Sequence, residues 1–345
     1  MQPEHRKILI ELVPPLFGVG KQLDFQHLLQ ALGQTQFVFQ LEPNLSFENL
    51  ATRVVDAAIA QLWIAALVEA LAAKFDKVAE LKTIIEVLAA EKLQPTSDDP
   101  FEEVWLESDR PFVNRVTLRG RLRDLITTDG SRLLLVDGAP KTGKSFSYYL
   151  LAHAATHHDF LVNRFELAQV AKVDQLADDI LHWIGASSSL PPQGNESAVR
   201  WAEKLAAVVA NSVTARACPR VFVFDTFPGP QDSPLPDEIC AFIVRLARWA
   251  DQESHGMLRV VLVRFPGELP PELDDVAARD EAQPFTISDM LDALAKIKKA
   301  RKWSVGDDVV NGKINEFEAQ GARTLRDRFK FLRTLVQDLA KATKP

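Results

Sequence analysis

The chain has 345 residues, of which 47% are hydrophobic, and its formal net charge is −7 at pH 7. This length accommodates two or three domains, and this apolar share excludes wholesale disorder. The negative balance argues against a general nucleic-acid binder. The two cysteines, Cys218 and Cys240, lack any metal-binding spacing and favour a reducing compartment such as the cytoplasm.

No segment has the length and apolarity that a membrane span requires. The most apolar helical segment, residues 50–73, carries Arg53, Asp56 and Glu69. Its uncharged part, residues 57–68, is shorter than the roughly 20 residues that a bilayer demands. We therefore expect a cytoplasmic protein with no membrane span.

Residues 1–92 predict a small bundle of four or five helices, because their apolar residues recur at helical spacing. The segments with this spacing are residues 3–13, 24–32, 46–75 and 77–91. Residues 36–41 form an apolar run that fits either a strand or a buried turn. Because no catalytic constellation lies in this part of the sequence, we interpret it as a protein-interaction domain.

Residues 93–110 are acidic and contain Pro95 and Pro100, which predicts a linker between domains. Beyond it, short apolar runs alternate with helical patterns, which predicts an α/β fold with a doubly wound parallel sheet over residues 111–285. The predicted strands are residues 133–136, 160–166, 220–225 and 258–265.

From residue 286 to residue 345 the chain is predicted to be helical and basic, as a C-terminal lid or tail. Its lysines and arginines are interpreted as a solvated face. The alternative is a nucleic-acid patch, although the interleaved aromatic residues expected for single strands are sparse.

A phosphate-loop pattern, G-x-x-x-x-G-K-[ST], follows the first predicted strand of the α/β region. Glycines free the backbone of this loop, so that its N–H groups and the following helix N-terminus can surround an anion. Lys144 would meet the β- and γ-phosphates, and the Ser145 hydroxyl would ligate Mg²⁺. A chance Gly-Lys-Ser turn is the alternative. The candidate nucleotide-binding residues here are Gly138, Ala139, Pro140, Lys141, Thr142, Gly143, Lys144, Ser145 and Phe146.

Two further candidates end predicted strands. Asp225 ends an aromatic and β-branched run, and we expect its strand to lie beside the loop's strand, with the carboxylate in the Mg²⁺ shell. A plain strand-end turn residue is the alternative for Asp225. Arg264 lies at the end of the predicted strand of residues 258–265, where it could contact a γ-phosphate, or else it is a surface arginine.

Several boxes in the same order resemble the signal-transduction NTPases with numerous domains, a branch of the AAA-like phosphate-loop ATPases. They are Phe112-Val113-Asn114-Arg115, the loop from Gly138 to Ser145, Val221 to Asp225, Leu262-Val263-Arg264, and Pro284 to Asp289. The resemblance implies bound ATP with Mg²⁺, with Arg115 near the base or ribose. It makes Lys144, Asp225 and Arg264 the candidate catalytic residues and Ser145 and Asp225 the metal ligands. No GTP-reading Asn-Lys-x-Asp motif appears.

The N-terminal helices resemble the death-domain-like effector-associated domains of bacterial conflict systems, in helix number, length and position ahead of a nucleotide site. Such domains act as adaptors that pair with a like domain on a separate effector. The resemblance therefore implies a role in bacterial defence, with an effector protein carrying a similar helical domain as partner, or self-assembly into an oligomer.

The sequence departs from this family just after Asp225. An acidic residue there usually orients the attacking water, but this chain has Thr226. We therefore expect slow hydrolysis and an ATP-held signalling switch. Three alternatives remain open: a remodelling or nucleic-acid-dependent ATPase of the AAA type, a small-molecule phosphotransferase, and a scaffold with an inactive nucleotide site.

Overall fold

The computed structural model describes residues 3–18, 22–32, 46–60, 64–91, 96–106, 110–127, 130–155, 157–186, 189–216, 218–226, 234–321 and 324–342. Contacts between residues divide the chain into two compact units. The helical unit comprises Met1–Leu93 and Leu181–Ser187, and the α/β unit comprises the remainder. The predicted domain limits at residues 92, 110 and 285 stay predictions.

The N-terminal region is helical, as predicted. Its helices are α1 (Pro3–Phe17), α2 (Gln22–Ala31), α3 (Phe47–Ala60), α4 (Ile64–Lys74) and α5 (Ala79–Glu91). The continuous helix predicted over residues 46–75 is assigned as α3 and α4, and residues 61–63 lie outside the described part of the chain. The apolar run at 36–41 also lies outside it. Apolar faces meet in one core, in which the Phe25 ring lies 5.2 Å from that of Phe17 and 5.5 Å from that of Phe47.

The α/β unit is built on a five-stranded parallel sheet, which confirms the predicted fold class. Its strands are β3 (Leu133–Gly138), β4 (Leu161–Glu166), β5 (Arg220–Asp225), β6 (Leu258–Val263) and β7 (Ala278–Ala282), in the spatial order β4-β5-β6-β3-β7. Two short strands before them, β1 (Trp105–Leu106) and β2 (Arg110–Pro111), form a separate antiparallel pair.

Helices cover both faces of the parallel sheet. They are α6 (Val116–Thr127), α7 (Ser147–Ala155), α9 (Ala198–Thr214) and α10 (Asp237–Gln252). The same region of the chain also forms α8 (Val173–Trp183) and the single turn α11 (Pro271–Asp274). Leucines of α6 and α7 pack on the face that carries Val136, Val223 and Val261. Helix α10 contacts β3 and β6. Residues such as Val260 and Leu262, which alternate with the first set along β6, point to that opposite face.

Two features of the sheet differ from the sequence prediction. Strand β5 does not lie beside β3, because β6 pairs with both and separates them. The prediction of adjacent strands is therefore wrong. Strand β7 was not predicted, since its sequence, Ala-Arg-Asp-Glu-Ala, is rich in charge. It pairs with β3 at the sheet edge and buries Asp280 and Ala282 while Arg279 and Glu281 stay exposed.

Three helices follow the sheet, as predicted: α12 (Ile287–Arg301), α13 (Asp307–Ala319) and α14 (Leu325–Ala342). A capping box between Thr286 and Asp289 begins α12. Helix α14 packs near the phosphate loop, where the Phe329 ring lies 5.0 Å from the Phe146 ring. Within the described ranges, no helix is long and apolar enough to cross a membrane.

Candidate nucleotide-binding site

The loop after β3 depends on glycine at two positions. Gly138 has a φ of 130°, and a Cβ on it would lie only 2.4 Å from the Ala282 carbonyl oxygen of β7. Gly143 adopts a left-handed conformation with a φ of 80°. Glycine thus lets the loop leave the sheet edge close to β7 and then turn into the short 3₁₀ turn Lys144–Phe146, which continues into α7.

The Lys144 side chain folds back over the loop and is almost fully buried. Its Nζ donates hydrogen bonds to the carbonyl oxygens of Gly138, at 2.5 Å, and Ala139, at 2.7 Å. Burial is the main cause that lowers the pKa of Lys144, with further lowering by Arg264 and Arg115, whereas Asp137 and Asp225 raise it. The ammonium group therefore shares one electrostatic environment with the predicted site residues Arg115, Asp225 and Arg264.

The other predicted loop residues differ in burial. Ala139, Pro140 and Lys141 are exposed, whereas Thr142 is buried and its hydroxyl donates to the Ala139 carbonyl at 2.8 Å. Ser145 is half-buried within the 3₁₀ turn. These positions leave the outer side of the loop open to a ligand.

Arg115 anchors the loop from the other side. It lies just before α6, and its Nη2 lies 2.5 Å from Oδ2 of Asp280 on β7, in a pair of which both side chains are buried. Its Nη1 also lies 3.5 Å from the Gly143 carbonyl oxygen. Desolvation lowers the pKa of Arg115, which Asp280 partly offsets. Arg115 thus ties β7 to the phosphate loop.

Asp225, at the end of β5, is fully buried between two arginines. Oδ2 of Asp225 lies 2.9 Å from Nη2 of Arg164 on β4, and Oδ1 lies 3.5 Å from Nη2 of Arg264. Arg264 follows β6 directly, with a φ of 56°, and its N–H donates to the Val136 carbonyl of β3. Because adjacent strands are about 4.8 Å apart, Asp225 is only about 10 Å across the sheet from the strand that carries the loop.

Sequence reasoning missed two charged residues of this site, Arg164 and Asp280. Arg164 lies on the same face of β4 as Glu166, with which it forms an ion pair. Asp280 is buried on β7 between the exposed Arg279 and Glu281. A charged residue in a strand, on the face shared with a candidate ligand, is the signal that could have identified Arg164.

Thr226 occupies the position after Asp225 and is buried. Its hydroxyl donates to the Arg264 carbonyl oxygen at 3.1 Å. The side chain therefore stabilises the end of β6, and it carries no group that could take a proton from water.

The donor atoms suit a polyphosphate and, with one condition, its metal ion. A glycine-bearing loop with a lysine ammonium at the carboxyl edge of a parallel sheet is the arrangement that binds phosphates. The Ser145 hydroxyl and the Asp225 carboxylate are oxygen ligands of the kind that Mg²⁺ prefers. Both carboxylate oxygens face guanidinium groups, however, so the metal ion fits only where an arginine gives up an oxygen.

The fold and the loop define the class of this chain. A parallel sheet in which one strand separates the loop strand from the strand ending in the buried aspartate is AAA-like.

Comparisons with known proteins add little to this assignment. No protein-family model matches the chain, and no curated protein matches it. Among solved structures, the ORC1 protein of Aeropyrum pernix in complex with DNA is similar at 16% identity, with a TM-score of 0.38. The match covers 68% of this chain and 62% of that one, so this chain spans less than two thirds of its length. A similarity this low supports no statement about function.

Proposed function

We propose that this chain is an ATP-binding signalling switch that hydrolyses ATP slowly. The single observation that carries the proposal is the Lys144 ammonium bound to the Gly138 and Ala139 carbonyls, in a glycine-bearing loop at the carboxyl edge of the sheet. The β- and γ-phosphates would be bound by the loop N–H groups and Lys144, with Arg264 near the γ-phosphate and Arg115 on the base or ribose side. Ser145 and Asp225 are the oxygen ligands available to Mg²⁺.

Slow hydrolysis follows from Thr226. Phosphoryl transfer depends on positioning and charge neutralisation, and a side chain that orients the attacking water adds to both. Thr226 supplies no such base, and its hydroxyl is already bonded to Arg264. A long-lived ATP complex suits a switch better than a motor.

We further propose that the helical unit passes the nucleotide state to a partner in the cytoplasm, either an effector with a similar helical domain or further copies of this chain, in bacterial defence. One observation supports an interaction role: Leu23, on α2, leaves 64% of its surface exposed.

The test compares full-length wild-type protein, Lys144→Ala and Lys172→Ala, in which an exposed lysine outside the loop is removed. We expect ATP to change the sedimentation coefficient, or the co-purification of an effector encoded beside the gene, in the wild type and in Lys172→Ala only. An unchanged response in Lys144→Ala would contradict the switch. Turnover that rises strongly with DNA or RNA would instead favour a nucleic-acid-dependent ATPase.

A further inference from the structure

The Asp225 carboxylate is the centre of a buried charge cluster that crosses the sheet. Arg164 and Arg264 lie within ion-pair distance of its two oxygens, and their side chains are 13% and 9% exposed. The fourth member, Glu166, lies 3.3 Å from Nη1 of Arg164 and is the most exposed, at 36%. Lys144, on the phosphate loop, is a further buried cation of the site.

The two arginines are held differently. Arg164 is in the middle of β4, where the strand pairs with β5 in register, so that Arg164 is opposite Val223 and Glu166 is opposite Asp225. Arg264 lies beyond the last residue of β6, in a left-handed conformation, and its contact with Asp225 is 0.6 Å longer than that of Arg164 (3.5 against 2.9 Å). Arg164 therefore lies within a paired strand and at the shorter distance from Asp225, whereas Arg264 lies at the end of its strand, next to β3 through the bond of its N–H to the Val136 carbonyl.

This arrangement changes what a metal ion can contribute. A divalent cation gains affinity from a carboxylate that is otherwise unneutralised, and it is repelled by cations already in place. Here the Arg164 guanidinium forms a buried ion pair with Oδ2 of Asp225. The other cations of the site, Lys144 and Arg264, can then attract phosphate oxygens, whose charge Mg²⁺ would otherwise neutralise.

We propose that Arg164 is a positioning residue that sets the metal requirement of the nucleotide site. It holds Asp225 as a neutralised carboxylate, so that ATP binds with its charge balanced by Lys144 and Arg264, and Mg²⁺ adds little affinity. This inference rests on the proposed binding of ATP at the loop, and it goes beyond it by assigning the metal's charge-balancing role to a residue of the second sheet strand.

Titration calorimetry of ATP, in excess Mg²⁺ and in EDTA, tests this assignment on the full-length protein. For the wild type we expect the two dissociation constants to agree within about threefold. In Arg164→Gln the unneutralised Asp225 repels the metal-free triphosphate. We therefore expect the dissociation constant in EDTA to rise about tenfold or more, and the constant in Mg²⁺ to change much less.

Two further variants control the experiment. Arg164→Lys keeps the positive charge and should retain a ratio of the two constants close to that of the wild type. Arg200→Gln removes an exposed arginine at the start of α9 and should leave both constants unchanged.

Two results would overturn the assignment: a wild-type requirement for Mg²⁺ greater than about tenfold, or an unchanged ratio in Arg164→Gln. If Arg164→Gln does not fold, the ratio of the two wild-type dissociation constants, in EDTA and in Mg²⁺, still tests the assignment. Failure of the proposed function itself is distinguishable, because it appears as no ATP binding by the wild type in either buffer.

Discussion

The helical unit and the α/β unit bury different kinds of side chain. In the described residues of the helical unit, the buried side chains are all hydrophobic, with Phe25, Leu29 and Leu67 among the largest. The α/β unit has a hydrophobic core as well, but it also buries charged groups, among them Lys144, Asp225 and Asp280.

The difference bears on the purpose of each unit. Burial of apolar surface stabilises a fold without any ligand, whereas a buried ion pair is often no more stabilising than a hydrophobic replacement of the same size. Charges buried around one loop are therefore better explained by a charged ligand than by stability. The described core of the helical unit is built from apolar side chains, and its ion pair between Arg6 and Asp56 lies at the surface.

The largest expected effect concerns the helical core. Replacing Phe25 by alanine removes a ring that contacts two other phenylalanine rings, Phe17 and Phe47. We expect the free energy of unfolding of this unit to fall by about 4 kcal/mol. Chemical denaturation followed by circular dichroism measures it, with Leu23→Ala on the same helix as the exposed control. Equal effects of the two substitutions would refute the assignment of the core.

The next largest effect is expected at the buried ion pair between Arg115 and Asp280 in the α/β unit. Asp280→Asn leaves the Arg115 guanidinium buried without a countercharge, and we expect a loss of about 3 kcal/mol in unfolding free energy. The neighbouring substitution Glu281→Gln removes an exposed carboxylate and should change stability by less than about 0.5 kcal/mol. Similar losses in the two variants, measured by urea denaturation, would show that the pair is not the buried one described above.

A smaller loss is expected at the loop glycine that approaches β7. Gly138→Ala places a methyl group against the Ala282 carbonyl oxygen at a backbone angle that alanine avoids, so stability should fall by about 2 kcal/mol. ATP binding should weaken with it, because the loop N–H groups move. Gly120→Ala, in α6 with open space around it, should instead be neutral or stabilising by up to about 1 kcal/mol. A tolerated Gly138→Ala with full ATP affinity is the contrary result.

The smallest effect is a pH dependence confined to the α/β unit. Burial first, and then the adjacent His157, lower the pKa of His153 from its ordinary 6.5 to about 4. Between these two pH values the histidine binds a proton in the unfolded chain but not in the native chain. The contribution of His153 to the unfolding free energy is therefore fully present above about pH 6.5 and is lost as the pH falls to about 4.

After allowance for partial exposure, that loss is about 1 to 2 kcal/mol. His153→Leu should remove this pH slope in unfolding experiments between pH 7 and pH 4. His27→Gln, which alters an exposed histidine of the helical unit, should retain it. A slope that persists in His153→Leu would assign it to other groups.

The sequence predicted most elements whose periodicity is apolar. The strand of Leu133 to Val136, the strand ending at Asp225 and helix α14 were all found within a few residues of their predicted positions. Strand β7 was not predicted, because a run of charged residues is typical of a loop. The alternating burial of these residues in the sheet explains why they form a strand. Pairing between strands is a long-range property, so the insertion of β6 between β3 and β5 could not be read from local patterns.

The candidate site divides in the same way. The loop from Gly138 to Ser145 carries its own pattern and was predicted from adjacent residues. Arg164 belongs to the site only because β4 pairs with β5, and Asp280 only because β7 lies beside β3. Arg115 and Asp280 are more than a hundred positions apart in the sequence. Contacts of this kind depend on the pairing of strands and cannot be predicted from neighbouring residues.

Titration calorimetry of ATP into the full-length protein tests the central claim most directly, namely that a triphosphate binds at the loop carrying Lys144. We predict saturable binding at one site in the wild type and its loss in Lys144→Ala, while both proteins unfold at the same temperature. The absence of any heat of binding for every nucleoside triphosphate, with Mg²⁺ and in EDTA alike, would contradict the account.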